Sequence, residues 1–312
     1  MWTIKQPPKI IFGQNSVNEF KFPEKCLVIT SKGSKSRGWL DYSRLTNQII
    51  FDDVETNPSI EITEKIISKF QDSDFTHIIG MGGGSSMDVA KFCAFKMNKL
   101  KIMIPTTFGS GSEVTRISVL KVNGKKKSFH SDDLLADISI IDPYFIKDTP
   151  FEIIKNSAID ACAQCTEAFD SKLANIYTKF LCEKAFDILE KVLIDETYEN
   201  LSYGAMISGL GFGNSSTTLG HALSYVYSNE GISHGHALAF TTTIAHKFND
   251  SKFYDRFKSL VDLLNFKPIK LNQNLEKAAE LIQTDRKHLD YNPKNISHNE
   301  IIKLLSSINS IN

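Results

Sequence analysis

The segment that decides the fold is THIIGMGGGSSMDVAKF, residues 76–92. It opens with a short apolar stretch, Thr76–Gly80, which predicts a buried strand. The strand runs directly into the turn Gly82-Gly83-Gly84-Ser85, and a helix rich in apolar residues follows from about Ser86. A strand, a glycine turn and a helix in this order are typical of a parallel sheet covered by helices.

The glycine turn has the composition of an anion-binding loop. Glycine lets the backbone approach a ligand closely and adopt positive φ, and the free N–H groups at a helix N-terminus attract negative charge. We therefore expect Gly82, Gly83, Gly84 and Ser85 to bind the pyrophosphate of a cofactor, with Asp88 nearby in the helix. The alternative is an ordinary turn, because glycine clusters alone are weak signals.

The character of the chain changes near residue 150. Before it, further strands are predicted at 26–30, 101–104 and 138–141, separated by helical segments. After it, helix-length segments dominate, at 151–169, 177–194, 198–212 and 216–227, with others beyond His236. We predict an α/β, Rossmann-like domain over 1–149 and an all-helical domain over 150–312. The tail from Lys267, rich in Lys and Asn, is expected to be solvated surface.

Composition excludes several classes of partner. The 312 residues carry 36 Lys and Arg against 36 Asp and Glu, which disfavours binding to nucleic acid or an anionic membrane. There is no long apolar run, residues 1–12 lack the pattern expected of a secretory signal, and the five cysteines show no spacing typical of a disulfide framework. We expect a cytoplasmic protein with a small-molecule substrate, no nucleic-acid or membrane partner, and a homodimer as an allowed assembly.

A second polar loop follows the strand at 101–104. Its sequence, PTTFGSGSEVT over 105–115, offers hydroxyls and glycines to a cofactor. The donors that we expect to contact the cofactor are Thr106, Thr107, Gly109, Ser110 and Ser112. The alternative is a polar loop in which Ser112 caps a helix.

The helical half contains a possible metal-binding set. Asp160 and Gln164 are four residues apart, so they share one face of a helix. His221 and His234 stand beside small or turn residues further along. One carboxylate and two imidazoles suit a divalent metal, whereas each histidine taken singly is better explained as a packed or surface residue.

The two loops together resemble the iron-containing alcohol dehydrogenase family. Its members carry GGGSxxDxAK and PTTxGTGSEVT, which read here GGGSSMDVAK (82–91) and PTTFGSGSEVT (105–115). The resemblance implies a dehydroquinate synthase-like fold, with NADH or NADPH on the first domain, Fe²⁺ or Zn²⁺ on the second, and the active site between them. It also implies Asp160, Gln164, His221 and His234 as ligands, although most members have histidine where Gln164 stands.

Cofactor preference is predicted from Ser31. Members of the family that prefer NAD often have aspartate at this position, where the carboxylate binds the ribose hydroxyls and repels a 2′-phosphate. Ser31, with Lys32 and Lys35 beside it, removes that repulsion. We therefore predict that NADPH is accepted.

The resemblance implies reduction of an aldehyde to an alcohol by hydride transfer, with a metal polarising the carbonyl. His236 and Tyr225 are the candidate proton donors. Gln164, HALSY and GISHGHA resemble the phosphonoacetaldehyde reductase branch, in which Arg116 and Lys127 would hold the anionic group. A solvated basic turn is the other explanation for these cations.

Two other functions stay open from the sequence. One is a non-redox lyase of the dehydroquinate synthase type that binds NAD and a metal. The other is a degenerate, non-catalytic nucleotide-binding protein, which Gln164 and a chain shorter than is usual for the family would favour.

Overall fold

A computed structural model describes residues 1–311 of the chain. They divide into two compact units: residues 3–150, and the residues from Phe151 onward together with Met1 and Trp2. The first unit is built on a parallel sheet and the second is helical, which confirms the predicted fold class.

The first unit is an α/β layer structure around a six-stranded sheet. The strands of this unit are β1 Lys9–Phe12, β2 Cys26–Ile29, β3 Ile49–Phe51, β4 His77–Gly82, β5 Leu100–Pro105, β6 Ile117–Val122, β7 Lys125–His130 and β8 Ile138–Ile141. Strands β6 and β7 form a separate two-stranded sheet. The helices of the unit are α1 Ser16–Glu19, α2 Lys32–Ser36, α3 Trp39–Tyr42, α4 Ile60–Phe70 and α5 Gly84–Lys96. The sheet order is β1-β8-β5-β4-β2-β3, and every pairing in it is parallel.

The central strands are apolar along their whole length because both faces of the sheet are covered. All four residues of β2 are buried, as are the last five of β4. A continuous apolar run is what a doubly covered parallel strand requires. Residues 86–94 of α5 are also all buried, so this helix lies within the core.

Two local features of this unit differ from the sequence prediction. Helix α5 begins at Gly84, inside the glycine run, rather than near Ser86. Strands β6 and β7 form an antiparallel hairpin that was not predicted. Its turn, Asn123-Gly124, has φ values of 52° and 75°, which is the conformation that Asn-Gly favours in two-residue hairpins. The dipeptide was therefore a readable signal.

The second unit consists of nine named α-helices within the described residues. They are α6 Phe151–Asp170, α7 Ile176–Ile194, α8 Leu201–Phe212, α9 Leu219–Asn229, α10 His234–Asn249, α11 Tyr254–Leu263, α12 Leu275–Gln283, α13 Arg286–Tyr291 and α14 His298–Asn309. Helix α6 is central and packs against α7, α8 and α10. Among residues 1–311, no helix combines the length and the apolar content needed to cross a bilayer.

The expectation that the tail beyond Lys267 is solvated surface was wrong. Helix α12 buries Ala278, Ala279 and Ile282, and α14 buries Ile301, Leu305 and Ile308. The apolar residues of α14 recur at intervals of four and three, so they form one stripe facing the core. The average composition of the tail hid this periodicity.

We expect Leu305→Ala to lower the free energy of unfolding by about 2–5 kcal/mol, because it removes a fully buried side chain and leaves a cavity. Lys303→Ala, an exposed position on the same helix, is the control and should change stability by less than about 0.5 kcal/mol. Urea unfolding followed by circular dichroism measures both. Equal stability of Leu305→Ala and the wild type would contradict the packing of α14.

Candidate metal centre and cofactor loops

Three helices bring Asp160, His221 and His234 together. One ligand atom from each lies within 4.8 Å of the others. Asp160 Oδ1 is 3.8 Å from His221 Nε2 and 4.0 Å from His234 Nε2. Ligand atoms bonded at about 2 Å to one tetrahedral ion lie about 3.3 Å apart, so small side-chain movements would bring these three atoms to metal-binding distance. The three residues that the sequence analysis selected from distant segments therefore converge in the fold.

Gln164, the fourth predicted ligand, lies one turn after Asp160 on α6. Its Nε2 donates to Asp160 Oδ1 at 2.9 Å. Its Oε1 is buried and has no hydrogen-bond partner in the described part of the chain. A buried acceptor without a partner costs about 1–3 kcal/mol, and a cation would satisfy it. Two imidazoles, a carboxylate and an amide oxygen fit a divalent ion such as Zn²⁺ or Fe²⁺.

Glu167 holds His221 in place, a role that sequence reasoning did not assign. The buried carboxylate lies 3.0 Å from His221 Nδ1, and it accepts hydrogen bonds from the Thr218 backbone N–H at 2.6 Å and the Thr242 hydroxyl at 3.0 Å. Because Glu167 engages Nδ1, Nε2 is the nitrogen that faces Asp160. Histidine ligands of metals are typically fixed by a carboxylate in this way.

Glu167 and His221 form a buried charge pair. Burial by itself would raise the pKa of Glu167, but the charge and hydrogen bond of His221 outweigh it and lower that pKa to about 2. Burial likewise opposes protonation of His221, but the charge of Glu167 prevails and raises the pKa of His221 to about 9. The negative charge of Glu167, next to Nδ1 of His221, therefore favours a positive charge at Nε2 of the same ring.

Gly220 allows α9 to approach this pair. A Cβ at position 220 would collide with the Glu167 carboxylate and lie 2.8 Å from the Thr242 backbone. A glycine immediately before His221 is thus required by packing.

The structure brings one of the two predicted proton donors to the cluster. Tyr225 follows His221 by one turn, and its ring centroid lies 6.2 Å from that of His234. His236 is two residues beyond His234, so it points away on the helix. Its Nε2 lies 2.6 Å from the Lys267 carbonyl, and its ring packs on Phe266. We therefore withdraw His236 as a donor and retain Tyr225.

A third imidazole, which the sequence analysis missed, stands beside the cluster. His288 on α13 is buried, and its ring centroid lies 6.2 Å from that of His221 and 5.7 Å from that of Tyr225. It went unnoticed because the tail was interpreted as surface.

In the first unit, the two predicted cofactor loops lie against each other, and we call Gly83, Gly84, Thr106 and Thr107 in these loops the glycine cradle. Strands β4 and β5 are neighbours, and the Gly82 carbonyl accepts a hydrogen bond from Thr106 N at 2.9 Å. A Cβ at Gly83 would lie 2.9 Å from Thr107 Oγ1, and one at Gly84 2.9 Å from Ser110. The hydroxyl of Thr106 is buried without a hydrogen-bond partner among residues 1–311. Free N–H groups at the start of α5 and this hydroxyl suit a phosphate group.

The side chains of Asp88 and Ser112, in contrast, form hydrogen bonds within the protein. Asp88 accepts hydrogen bonds from the Ser112 hydroxyl at 2.6 Å and from Val119 N at 3.0 Å. Lys91, fully buried, donates to the carbonyls of Ser112 and Ile117. These contacts fasten the second loop to α5, so we assign Asp88 and Ser112 to positioning the loop rather than to direct contact with a cofactor. No helix begins at Ser112, so the alternative of a helix cap is wrong.

The Ser31 hydroxyl caps α2 by accepting from Ser34 N at 3.3 Å. The lysines beside it have local partners, since Lys32 pairs with Asp53 and Lys35 with Asp52, each at 2.8 Å. The carboxylates that follow β3 thus offset the positive charge that was expected to favour a 2′-phosphate.

The two predicted substrate-binding cations also have local partners. Arg116 pairs with Asp132 at 2.9 Å, and Lys127 lies over the Phe129 ring in the hairpin. The structure therefore gives no built anion pocket around these two residues within the described chain.

Comparison with known proteins shows that the chain is similar to alcohol dehydrogenases. A family model described as iron-containing alcohol dehydrogenase matches residues 7–143, and one described as the C-terminal part of the Fe-containing alcohol dehydrogenase family matches residues 154–290. The chain is 34% identical over 241 residues to 4-hydroxybutyrate dehydrogenase of Clostridium kluyveri, covering 66% of this chain and 65% of that protein. It is 31% identical over 220 residues to long-chain-alcohol dehydrogenase 1 of Geobacillus thermodenitrificans, covering 61% and 56%. The chain thus spans less than two thirds of the length of these relatives.

Solved structures show the same fold. Sulfoacetaldehyde reductase from Bifidobacterium kashiwanohense, in complex with NAD⁺, superposes with a TM-score of 0.90 at 24% identity, with 100% of both chains covered. An iron-containing alcohol dehydrogenase from Thermotoga maritima gives a TM-score of 0.88 at 23% identity, again over 100% of both chains.

We expect Glu167→Gln to weaken Zn²⁺ binding about 10- to 100-fold, because the amide loses the charge that fixes and polarises His221. Glu183→Gln, at an exposed position on α7, is the matched control. Competition against a chromophoric chelator measures both affinities. If the two variants bind Zn²⁺ equally well, Glu167 has no part in the site.

Proposed function

Because this chain belongs to the iron-containing alcohol dehydrogenase family, we propose that it is an oxidoreductase that reduces a small aldehyde to a primary alcohol with NADH or NADPH. The observation that carries the proposal is the convergence of Asp160, His221 and His234 from three helices. Tyr225 lies beside this cluster, and a glycine cradle is present in the other unit.

Asp160, His221 and His234 would hold a divalent cation, Fe²⁺ or Zn²⁺, and the buried Gln164 oxygen, which has no other partner among residues 1–311, is the further acceptor available to it. When bound, such an ion polarises a carbonyl oxygen and stabilises the negative charge that develops there. Glutamine is a weaker ligand than the histidine found in most members of the family, so Asp160 and the two imidazoles carry most of the binding.

The other residues of the chain have separate tasks in this proposal. The cradle of Gly83, Gly84, Thr106 and Thr107 binds the pyrophosphate through backbone N–H groups and hydroxyls. Tyr225 holds a proton at its phenolic oxygen for the product alkoxide. Asp160 and His221 have side chains only 14% and 7% exposed, which limits the access of water to the reacting oxygen.

We propose a short aldehyde with a second, anionic group as the substrate class. Support comes from two names, 4-hydroxybutyrate dehydrogenase and sulfoacetaldehyde reductase, each of which specifies a small molecule with an acidic group. Phosphonoacetaldehyde belongs to this class. Neutral alcohols are the competing class, since long-chain-alcohol and 1-propanol dehydrogenases are also relatives.

The family match argues against the non-redox lyase. The intact cluster and cradle argue against a degenerate protein, because a chain that only bound nucleotide would not need Asp160, His221 and His234 to converge.

We expect the metal-loaded protein to oxidise NADH or NADPH in the presence of aldehydes, and Asp160→Ala to lower that rate at least about 100-fold because it removes a ligand of the polarising ion. Metal content should fall in parallel. Asp262→Ala, an exposed position on α11, is the control. Absorbance at 340 nm and elemental analysis provide the readouts, and full turnover by Asp160→Ala would refute the metal role.

We expect Ser31→Asp to shift the preference towards NADH about tenfold, because a carboxylate there would repel a 2′-phosphate. Ser36→Asp adds the same charge at an exposed position of α2 and serves as the control. The ratio of kcat/KM for the two cofactors is the measurement. An unchanged ratio in Ser31→Asp would show that this position does not contact the adenosine ribose.

A further inference from the structure

His288 is built into the surroundings of the candidate metal centre. Its side chain is only 6% exposed, although it lies in the tail of the chain. The ring is inclined by 19° to that of His221, with centroids 6.2 Å apart, and Tyr225 meets it edge-on at 5.7 Å. His288 therefore shares its environment with one proposed ligand and with the proposed proton donor.

Asp285 fixes the orientation of this imidazole. Its Oδ2 lies 2.6 Å from His288 Nδ1, and its Oδ1 accepts from the His288 backbone N–H at the start of α13. The same pattern of a carboxylate on Nδ1 holds His221 through Glu167. One nitrogen of His288 is thus used for positioning, which leaves Nε2 for another partner.

Within residues 1–311, Nε2 of His288 makes no hydrogen bond to the protein. Nε2 is not completely enclosed, so a molecule at the centre can reach it. His288 also stands outside the group of three whose ligand atoms lie within 4.8 Å of one another. It is therefore placed to contact a molecule at the centre rather than to join the three as a ligand.

We propose that His288 is a substrate-binding residue, whose Nε2 hydrogen-bonds the oxygen of the alcohol or aldehyde received beside Asp160, His221 and His234. This inference rests on the proposed function. The site then has a third imidazole, which comes from α13, whereas α6 provides Gln164 at the position where most members of the family have histidine. Asp285 acts on the substrate only through His288 and is a positioning residue.

The test uses the full chain loaded with Co²⁺, whose visible absorption reports on its ligands. With NADH present, so that an alcohol cannot turn over, the protein is titrated separately with 4-hydroxybutyrate and with 1-propanol. We expect His288→Ala to weaken binding of the better alcohol about tenfold, as loss of one hydrogen bond would. Co²⁺ affinity should stay within about twofold. Asp285→Asn should have an alcohol affinity between that of His288→Ala and that of the wild type.

His298→Ala is the matched control, since this histidine on α14 bonds to Gln283 and Glu276 and is expected to leave both affinities unchanged. If His288→Ala does not fold, His288→Gln takes its place and should weaken binding less, because its amide can still donate a hydrogen bond. Unchanged alcohol binding, or an equal loss of Co²⁺ affinity, would overturn the proposal. A wild type that takes up Co²⁺ but responds to neither alcohol also overturns it, whereas one that takes up no Co²⁺ contradicts the proposed function itself.

Discussion

The buried contact between Glu167 and His221 is the constraint on which the helical unit's site depends. A carboxylate with 1% of its surface exposed must have partners, and it finds them on α9, on α10 and in the residues that lead into α9. Because a buried charge without partners is very costly, any arrangement that separated these segments from Glu167 would be strongly disfavoured. The observed arrangement turns His221 Nε2 towards Asp160, and it admits no side chain at residue 220. The contacts of Glu167 therefore contribute both to the packing of these helices and to the geometry of the candidate metal centre.

The α/β unit uses a buried cation in the same way. Lys91 has no exposed surface, and its ammonium group lies among backbone carbonyls of the loop that follows β5, with the Asp88 carboxylate 3.4 Å away. Charge-assisted hydrogen bonds of this kind are stronger than neutral ones, so they can hold a loop that has no regular secondary structure. Asp88 and Lys91 would thus act on a bound cofactor through the backbone that they fix. A motif that marks a binding site need not consist of residues that touch the ligand.

Several side chains in this protein have roles that residue type alone did not reveal. Lys32, Lys35 and Arg116 suggested anion binding, but each is paired with an aspartate. His236, next to a proposed ligand in sequence, is turned to a backbone carbonyl, while His288, far along the chain, lies beside the centre. Which charges are compensated, and which imidazoles meet, depends on contacts between residues that are distant in sequence.

By itself, the sequence determined the parallel sheet, the glycine turn between β4 and α5, and the set Asp160, His221 and His234, because local periodicity, glycine spacing and the family resemblance indicate them. The dipeptide Asn123-Gly124 also encodes the turn of the β6–β7 hairpin locally. Only the tertiary structure decided that α12 and α14 are core elements, that Asp88 supports a loop, that Glu167 orients His221, and that His288 belongs with the centre. The physical reason is that burial and hydrogen bonding are properties of the folded chain. A histidine or a lysine has the same neighbours in sequence whether its side chain is solvated or bonds to a residue on a distant helix.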